Sequence, residues 1–269
     1  MPVGPIASAS NPRFRLLAGL VGKPRDRRRH GASVIEGMHL LESYIGRFGA
    51  PRLVFVPVGA PAPVAALAVA SGAEVVELEP RLFARASQVE NGSGPIAIVD
   101  TPRPALPNAI DEDLVYLDRI QDPGNVGSIL RTCAAVGVRR LATAPGTAFC
   151  WSPKVLRAGQ GAHFHLDIHE DVEWAEIACR SRLELRYAAA QASRRIDRSR
   201  LAAPSVWVFG NEGEGVAAAI RESAPAGAIA IPQTDGVESF NVGVAAAICL
   251  YEQWRQRGFP GAAAADSGA

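Results

Sequence analysis

Residues 227–257, GAIAIPQTDGVESFNVGVAAAICLYEQWRQR, constrain the fold of this chain more than any other stretch. Ala228 to Ile231 are small or branched apolar residues, the composition of a short buried strand. Pro232 ends it, because proline has no N–H to give to a sheet ladder. Gln233 to Glu238 read as a loop, and Ser239 is a suitable N-cap. From Val242 an alanine-rich helix is expected, with Val244, Ile248 and Tyr251 recurring at helical spacing. Ser239 and Asn241 therefore stand where a strand has ended and a helix begins, a junction with unpaired backbone N–H groups that suits a ligand. The plainer reading is a packing helix with a capped start.

At 269 residues the chain has room for two modest domains. Its 48% hydrophobic and 20% charged content is that of an ordinary globular protein. A net charge of +1 argues against a uniformly basic nucleic-acid binder and leaves local patches open. Cys133, Cys150, Cys179 and Cys249 are widely spaced, which indicates neither a zinc site nor a disulfide framework. No apolar run approaches the roughly 18 residues of a membrane span. The expected setting is a reducing cytoplasm with no membrane partner.

The first 30 residues carry seven basic side chains (Arg13, Arg15, Lys23, Arg25, Arg27, Arg28 and Arg29) against Asp26 alone. Such density fits contact with a phosphate backbone, and equally fits a solvated face. Strand-like and helix-like segments then alternate to Val99, the pattern of a small α/β layer structure. Thr101 to Pro107, TPRPALP, reads as a linker. The expected domains are residues 1–104 and 105–258, followed by a disordered tail, 259–269.

In the second half, Leu114 to Leu117 is a strand, Asn125 is a candidate N-cap and Val126 to Val136 a helix. Asn125 and Arg131 are six residues apart, about 240° round a helix, so they share no face if both are helical. In a strand His163 and His165 would share one face, near His169, but the flanking glycines suggest a loop, nothing completes a metal site, and no metal is expected. Gly210-Asn-Glu-Gly-Glu-Gly215 superficially fits a dinucleotide fingerprint with Asp235 downstream. Glu212 and Glu214 would repel a pyrophosphate, whereas a sulfonium nucleoside would suit such a loop.

Three stretches, Asp122-Pro-Gly-Asn-Val-Gly-Ser-Ile-Leu-Arg131, Phe209-Gly-Asn-Glu-Gly-Glu-Gly215 and Ile231-Pro through Glu238-Ser-Phe-Asn-Val242, resemble in order and spacing the three motifs of the SpoU (TrmH-like) RNA ribose methyltransferases of the SPOUT class. The resemblance covers residues 113–257. More weakly, Ser10-Asn-Pro and Val34-Ile-Glu-Gly37 resemble the substrate-binding domain often attached to this family. The resemblance implies an α/β fold whose C-terminal methyltransferase domain carries a trefoil knot, behind a smaller N-terminal α/β RNA-binding domain. It also implies a homodimer formed through the catalytic domain, and an enzyme that transfers methyl from S-adenosylmethionine to a ribose 2′-hydroxyl. Ribosomal RNA is the expected substrate, before transfer RNA.

By the same resemblance Asn125, Arg131, Glu212, Ser239 and Asn241 would be the catalytic polar residues, with Glu212 holding a loop or an arginine. The cofactor would rest on backbone around Gly210, Ile231 and Phe240. Arg13, Arg25, Arg27, Arg28 and Arg29 are the expected RNA contacts. Phe240 stands where the family usually has leucine, and Gly243 where serine is common. The alternatives are a non-catalytic RNA-binding relative, which the intact polar residues disfavour, and a nucleotide-dependent oxidoreductase, which the acidic loop disfavours.

Overall fold

A computed structural model describes residues 4–89, 92, 94–236 and 239–261. Helices and strands alternate along the chain. The first part runs α1 (Pro12–Gly22), α2 (Pro24–His30), β1 (Ala32–Glu36), α3 (Met38–Phe48), β2 (Leu53–Pro57), α4 (Ala62–Ala70), β3 (Glu74–Leu78), α5 (Pro80–Ala86) and β4 (Ile96–Asp100). There follow β5 (Leu114–Asp118), α6 (Pro123–Ala135), β6 (Arg140–Thr143), α7 (Pro153–Gly159), β7 (Asp167–His169), α8 (Trp174–Arg180) and β8 (Glu184–Ala188). The chain continues through β9 (Ser205–Gly210), α9 (Ala218–Ser223) and β10 (Ala228–Ile229) to α10 (Val242–Gln256).

Two compact units result. One comprises the chain up to Pro102 together with Trp151–Phe164; the other comprises Arg103–Cys150 and the chain from His165 onward. Within the first, β1-β4-β2-β3 form a mixed sheet in which only β2 and β3 are parallel. Its core includes Phe14, Leu17 and Leu20 of α1, Phe55 of β2 and Leu82 and Phe83 of α5. The α7 segment belongs to this unit and packs against β1.

Proline at N1 starts both α1 and α2, and Asn11 caps α1 by accepting from the Arg13 N–H. Between these helices Arg27 is turned inward. Only 5% exposed, it donates to the carbonyls of Leu20 (2.6 Å) and Val21 (3.1 Å) at the end of α1. A guanidinium satisfying two helix-end carbonyls is a structural pin, and this removes Arg27 from the set of expected RNA contacts.

The second unit is built on a six-stranded sheet, β10-β8-β9-β5-β6-β7, parallel throughout. The central strands β5 and β9 are buried along their whole length, as their unbroken apolar sequences require of strands covered on both faces. Helix α10 lies on this sheet and is fastened by Gln253, which is 2% exposed. Its side chain accepts from Trp207 Nε1 (2.7 Å) and donates to Ser205 Oγ (3.0 Å) and the Ala203 carbonyl (3.1 Å). Helix α6 packs alongside α10.

Several expectations need correction. Helix α6 starts at Pro123, so its cap is Asp122, which accepts from the Asn125 N–H at 2.8 Å; Asn125 is inside the first turn. The cap of α10 is Asn241 in place of Ser239, because only the former's carbonyl oxygen reaches the Gly243 and Val244 N–H groups. His163 and His165 lie in a short 3-10 turn, Ala162–His165, in keeping with the loop that the flanking glycines suggest, and the strand begins at Asp167. Of the expected tail 259–269, Phe259 packs edge-on against Trp254, centroids 4.8 Å apart, while residues 262–269 fall outside the described region. Among the described residues no helix is long and apolar enough to cross a membrane, and no group of three metal-ligating side chains gathers.

One carboxyl makes the second unit pH-sensitive. Glu170 accepts from the Cys150 N–H at 2.6 Å, and burial pushes its carboxyl from about 4.5 up to about 7. In the unfolded chain the group ionises near its ordinary value, whereas the folded chain holds the proton until about 7. Stability is therefore lost as pH rises through that window, and no further above it. Glu170→Gln removes the ionisation and keeps an acceptor for Cys150. It should raise the thermal midpoint at about pH 8, by an amount corresponding to roughly 3 kcal/mol, and leave it nearly unchanged at about pH 4. Scanning calorimetry at the two pH values measures the difference.

Candidate functional site

Because β5 and β9 are parallel neighbours in a register that sets Asp118 opposite Gly210, the loops after them leave the sheet at the same height. The loops after β8 and β10 open at the same edge, since these strands are also parallel members of the sheet. Carboxyl ends of parallel strands are where open α/β sheets form their ligand crevices. A cavity of about 810 Å³ lies there, lined by Ala188–Gln191, Phe209–Val216, Ile231, Gln233, Ser239–Val242 and Ala245.

The loop after β9 turns back on itself. Asn211 and Gly215 exchange backbone hydrogen bonds of 3.1 and 2.9 Å. A Cβ on Gly210 would stand 2.2 Å from the Gly215 carbonyl carbon, so this turn closes only with glycine at its root. Asn211 Oδ1 accepts from the N–H groups of Gly213 (2.9 Å) and Glu214 (3.1 Å), an Asx turn that shapes the tip.

Polar side chains from all three motifs join in one relay. Asn241 accepts from the first N–H groups of α10 and donates to Asn125 Oδ1 at 2.9 Å. Asn125 donates in turn to Glu212 Oε1 at 2.9 Å. The Glu212 carboxylate also receives the N–H groups of Gln121 and Asp122, each at 3.3 Å. Burial pushes the Glu212 carboxyl up, but the bonds from Asn125 and the backbone outweigh it and hold the group below the usual carboxylate range.

Glu214 is held separately. Arg119, in the left-handed backbone region at φ 59°, donates to Glu214 Oε2 at 2.6 Å and to Asp118 Oδ1 at 3.0 Å. Asp118, 3% exposed, also accepts from the Ala217 N–H at 2.7 Å. The Arg119 carbonyl accepts from Asn211 Nδ2 at 2.9 Å. Arg119 thus clamps both legs of the glycine-rich turn. Sequence reasoning assigned no role to Arg119, Asp118 or Asn211; their signal is adjacency, at the ends of β5 and β9 beside the recognised motifs.

The expected site residues divide into two groups. Gly210, Glu212, Ile231, Ser239, Phe240 and Asn241 line the cavity, and Asn125 is bonded to two of them. Arg131 does not line it. It stands exposed on another side of α6, in a groove of about 510 Å³ that Ser128, Thr132, Ala135 and Val136 share with Ala247, Ile248 and Tyr251 of α10. Six helical residues from Asn125, it faces away from the relay. Cysteine chemistry has no place here, since burial pushes the Cys249 thiol up to about 12 and raises those of Cys133 and Cys150 as well.

Comparison with known proteins places this geometry. The SpoU rRNA Methylase family model matches residues 113–251. An uncharacterized tRNA/rRNA methyltransferase of Synechocystis sp. is 30% identical over 95% of each chain. The 23S rRNA (guanosine(2553)-2'-O)-methyltransferase RlmP of Bacillus subtilis is 27% identical, over 91% of this chain and 97% of its own. The crystal structure of the SpoU methyltransferase AviRb from Streptomyces viridochromogenes, solved with AdoMet, shares the fold, with a TM-score of 0.82 at 24% identity over 92% of this chain and 98% of that one. With a family match over more than half its length and a near full-length relative, the chain belongs to the SpoU rRNA Methylase family.

Proposed function

We infer that this SpoU-family methyltransferase carries a methyl group from S-adenosylmethionine to a ribose 2′-hydroxyl of ribosomal RNA. The observation that carries the reading is the cavity at the strand ends, walled by the second and third motifs and tied to the first through Asn125. Its residues fit the cofactor. About 810 Å³ is ample for a nucleoside of this size, and glycine and alanine make up much of the wall. Glu212, held in its ionised form, suits a neighbouring positive sulfonium. Gly210, Ile231 and Phe240 would hold the nucleoside, and Ser239 adds a hydroxyl to the wall. When bound, S-adenosylmethionine supplies a methyl group made electrophilic by its positive sulfur.

The rest of the chemistry falls to the protein. In an in-line transfer the O–CH₃ bond forms as the S–CH₃ bond breaks, and the hydroxyl proton must leave. A guanidinium keeps its proton in water and is a poor resting base. Arg131 instead stabilises the alkoxide that develops, from a position where no ion pair among the described residues engages it. The Asn241–Asn125–Glu212 relay fixes the glycine-rich turn and the start of α10 relative to α6.

The placement of Arg131 outside its own cavity supports the homodimer reading. Val244 (47% exposed) and Tyr251 (52%) form with half-buried Ile248 an apolar stripe on α10, bordering the groove that contains Arg131. A second copy seated on this stripe would cover the groove and bring each Arg131 to a ribose at the other protomer's cavity. The knotted path of the C-terminal segment, the division of labour between an RNA-binding N-terminal domain and the methyltransferase domain, and a cytoplasmic setting complete the proposal.

The direct test is transfer of labelled methyl from S-adenosylmethionine to total RNA from a deletion strain, followed by mapping of ribose methylation. A product in transfer RNA would move the substrate assignment, and no product in either would overturn it. In the same assay Arg131→Ala should lower turnover by about two to three orders of magnitude while cofactor affinity stays within a few-fold. Equal loss of both would place Arg131 in the cofactor pocket. Changing Ile248 and Tyr251 to aspartate together should give a monomer by light scattering, still folded by circular dichroism and inactive. A monomeric wild-type protein at micromolar concentration would end the dimer reading.

A further inference from the structure

The basic cluster at the N-terminus is redistributed once folded. Arg27 is buried, and Arg13 is paired with Glu74 at 2.6 Å. Arg27 has no donor turned outward to a phosphate, while Arg13 shares its guanidinium with an exposed carboxylate. Between α1, α2 and α5 lies a groove of about 590 Å³ whose wall carries Arg15, Lys23, Arg29, His30 and Arg85, with Asp26 as its one acid. Arg25 and Arg28 do not line it. Arg85, far from the cluster in sequence, is delivered by α5, whose core residues Leu82 and Phe83 anchor it beside α1.

The groove has the features of a built anion site. Arg15, Lys23, Arg29 and Arg85 are exposed and form no ion pair among the described residues. The Arg85 guanidinium lies 5.7 Å from the centroid of the Phe14 ring, itself 2% exposed, which fixes the direction of its fork. The Asp26 carboxylate is turned against Gly19, where a Cβ would meet its Oδ2 at 2.6 Å. Arg27 pins the α1–α2 corner from inside, so Lys23 and Arg29 are held on one rigid turn.

We propose that this α1–α2–α5 groove seats the sugar-phosphate backbone of the RNA substrate, with Arg85 and Arg29 as forked phosphate ligands and Arg15 and Lys23 as flanking charges. The assignment rests on the reading that the substrate is RNA, and it replaces a diffuse basic arm with a defined surface. Guanidinium forks match phosphate oxygens in pairs, whereas a scattered arm would depend on charge alone.

The experiment is binding of in vitro transcribed 23S ribosomal RNA to the full-length protein over a series of potassium chloride concentrations. Arg85→Gln and Arg29→Gln should each weaken binding by about 3- to 10-fold and flatten the slope of log affinity against log salt by about 0.7 to 0.9, one phosphate contact apiece. Arg85→Lys should restore the slope and only part of the affinity. Arg25→Gln and Arg28→Gln should change both less. Thermal midpoint and S-adenosylmethionine affinity should match wild type throughout, which separates contact from misfolding. An Arg85→Gln protein with wild-type affinity and slope overturns the groove, as does an equal effect from Arg25→Gln. Methyl transfer by wild type to the same transcript keeps the two readings apart. If it proceeds with an unchanged KM for RNA in Arg85→Gln, the groove alone fails; if wild type transfers nothing, the substrate reading fails.

Discussion

The parallel register of β5 and β9 is the constraint on which the site depends. It sets Asp118 opposite Gly210 and so launches two motif loops from one line. The hydrogen bonds joining them are mostly exposed, and each contributes only about 1 kcal/mol to stability. The Asn241–Asn125–Glu212 relay therefore does not hold the fold together. The sheet brings the loops within reach, and the relay selects one arrangement of them. Gln253 performs the corresponding task from the other side, tying α10 to Trp207 and Ser205 of β9 so that Asn241 at the helix start has a fixed height.

Strand and helix order was largely legible in the sequence, because period and punctuation are local. Helix Met38–Phe48 and strand Glu74–Leu78 occupy the spans that their apolar residues mark out. The caps were less so. Both Ser239 and Asn241 have N-capping chemistry, and only the backbone path decides which oxygen reaches the free N–H groups. Pro123 carried the information that Asn125 lies inside α6, since proline at the first helical position makes the preceding Asp122 the cap.

Charged residues were the hardest to place. Arg27 belongs to a run that looks uniformly solvated, yet its guanidinium replaces water on two helix-end carbonyls. Arg186 is fully buried in β8, donating to the Leu201 carbonyl at 2.8 Å and to Glu184 at 2.7 Å. Neither fate is written in composition or spacing, because each depends on carbonyls that tertiary structure leaves unpaired. The same holds for Arg119, whose neighbours Asp118 and Glu214 are distant from each other in sequence. For Arg131 the sequence did hold the clue. Six residues from Asn125 on one helix means a different face, and a different face leads to the α6–α10 groove.

The glycine-rich stretch shows how a correct exclusion can rest on an incomplete reason. Charge repulsion by Glu212 and Glu214 argued against a pyrophosphate, but Arg119 largely neutralises Glu214. What excludes the dinucleotide mode more firmly is backbone direction. In that mode the glycines open directly into a helix whose free N–H groups face the phosphates. Here the N–H groups of Asn211, Gly213, Glu214 and Gly215 are all spent inside the turn, on the Gly215 carbonyl, the Asn211 side chain and the Asn211 carbonyl. The following helix begins only at Ala218 and runs six residues. A turn that consumes its own donors offers a ligand shape and carbonyl oxygens, to which a cation is better matched than an anion.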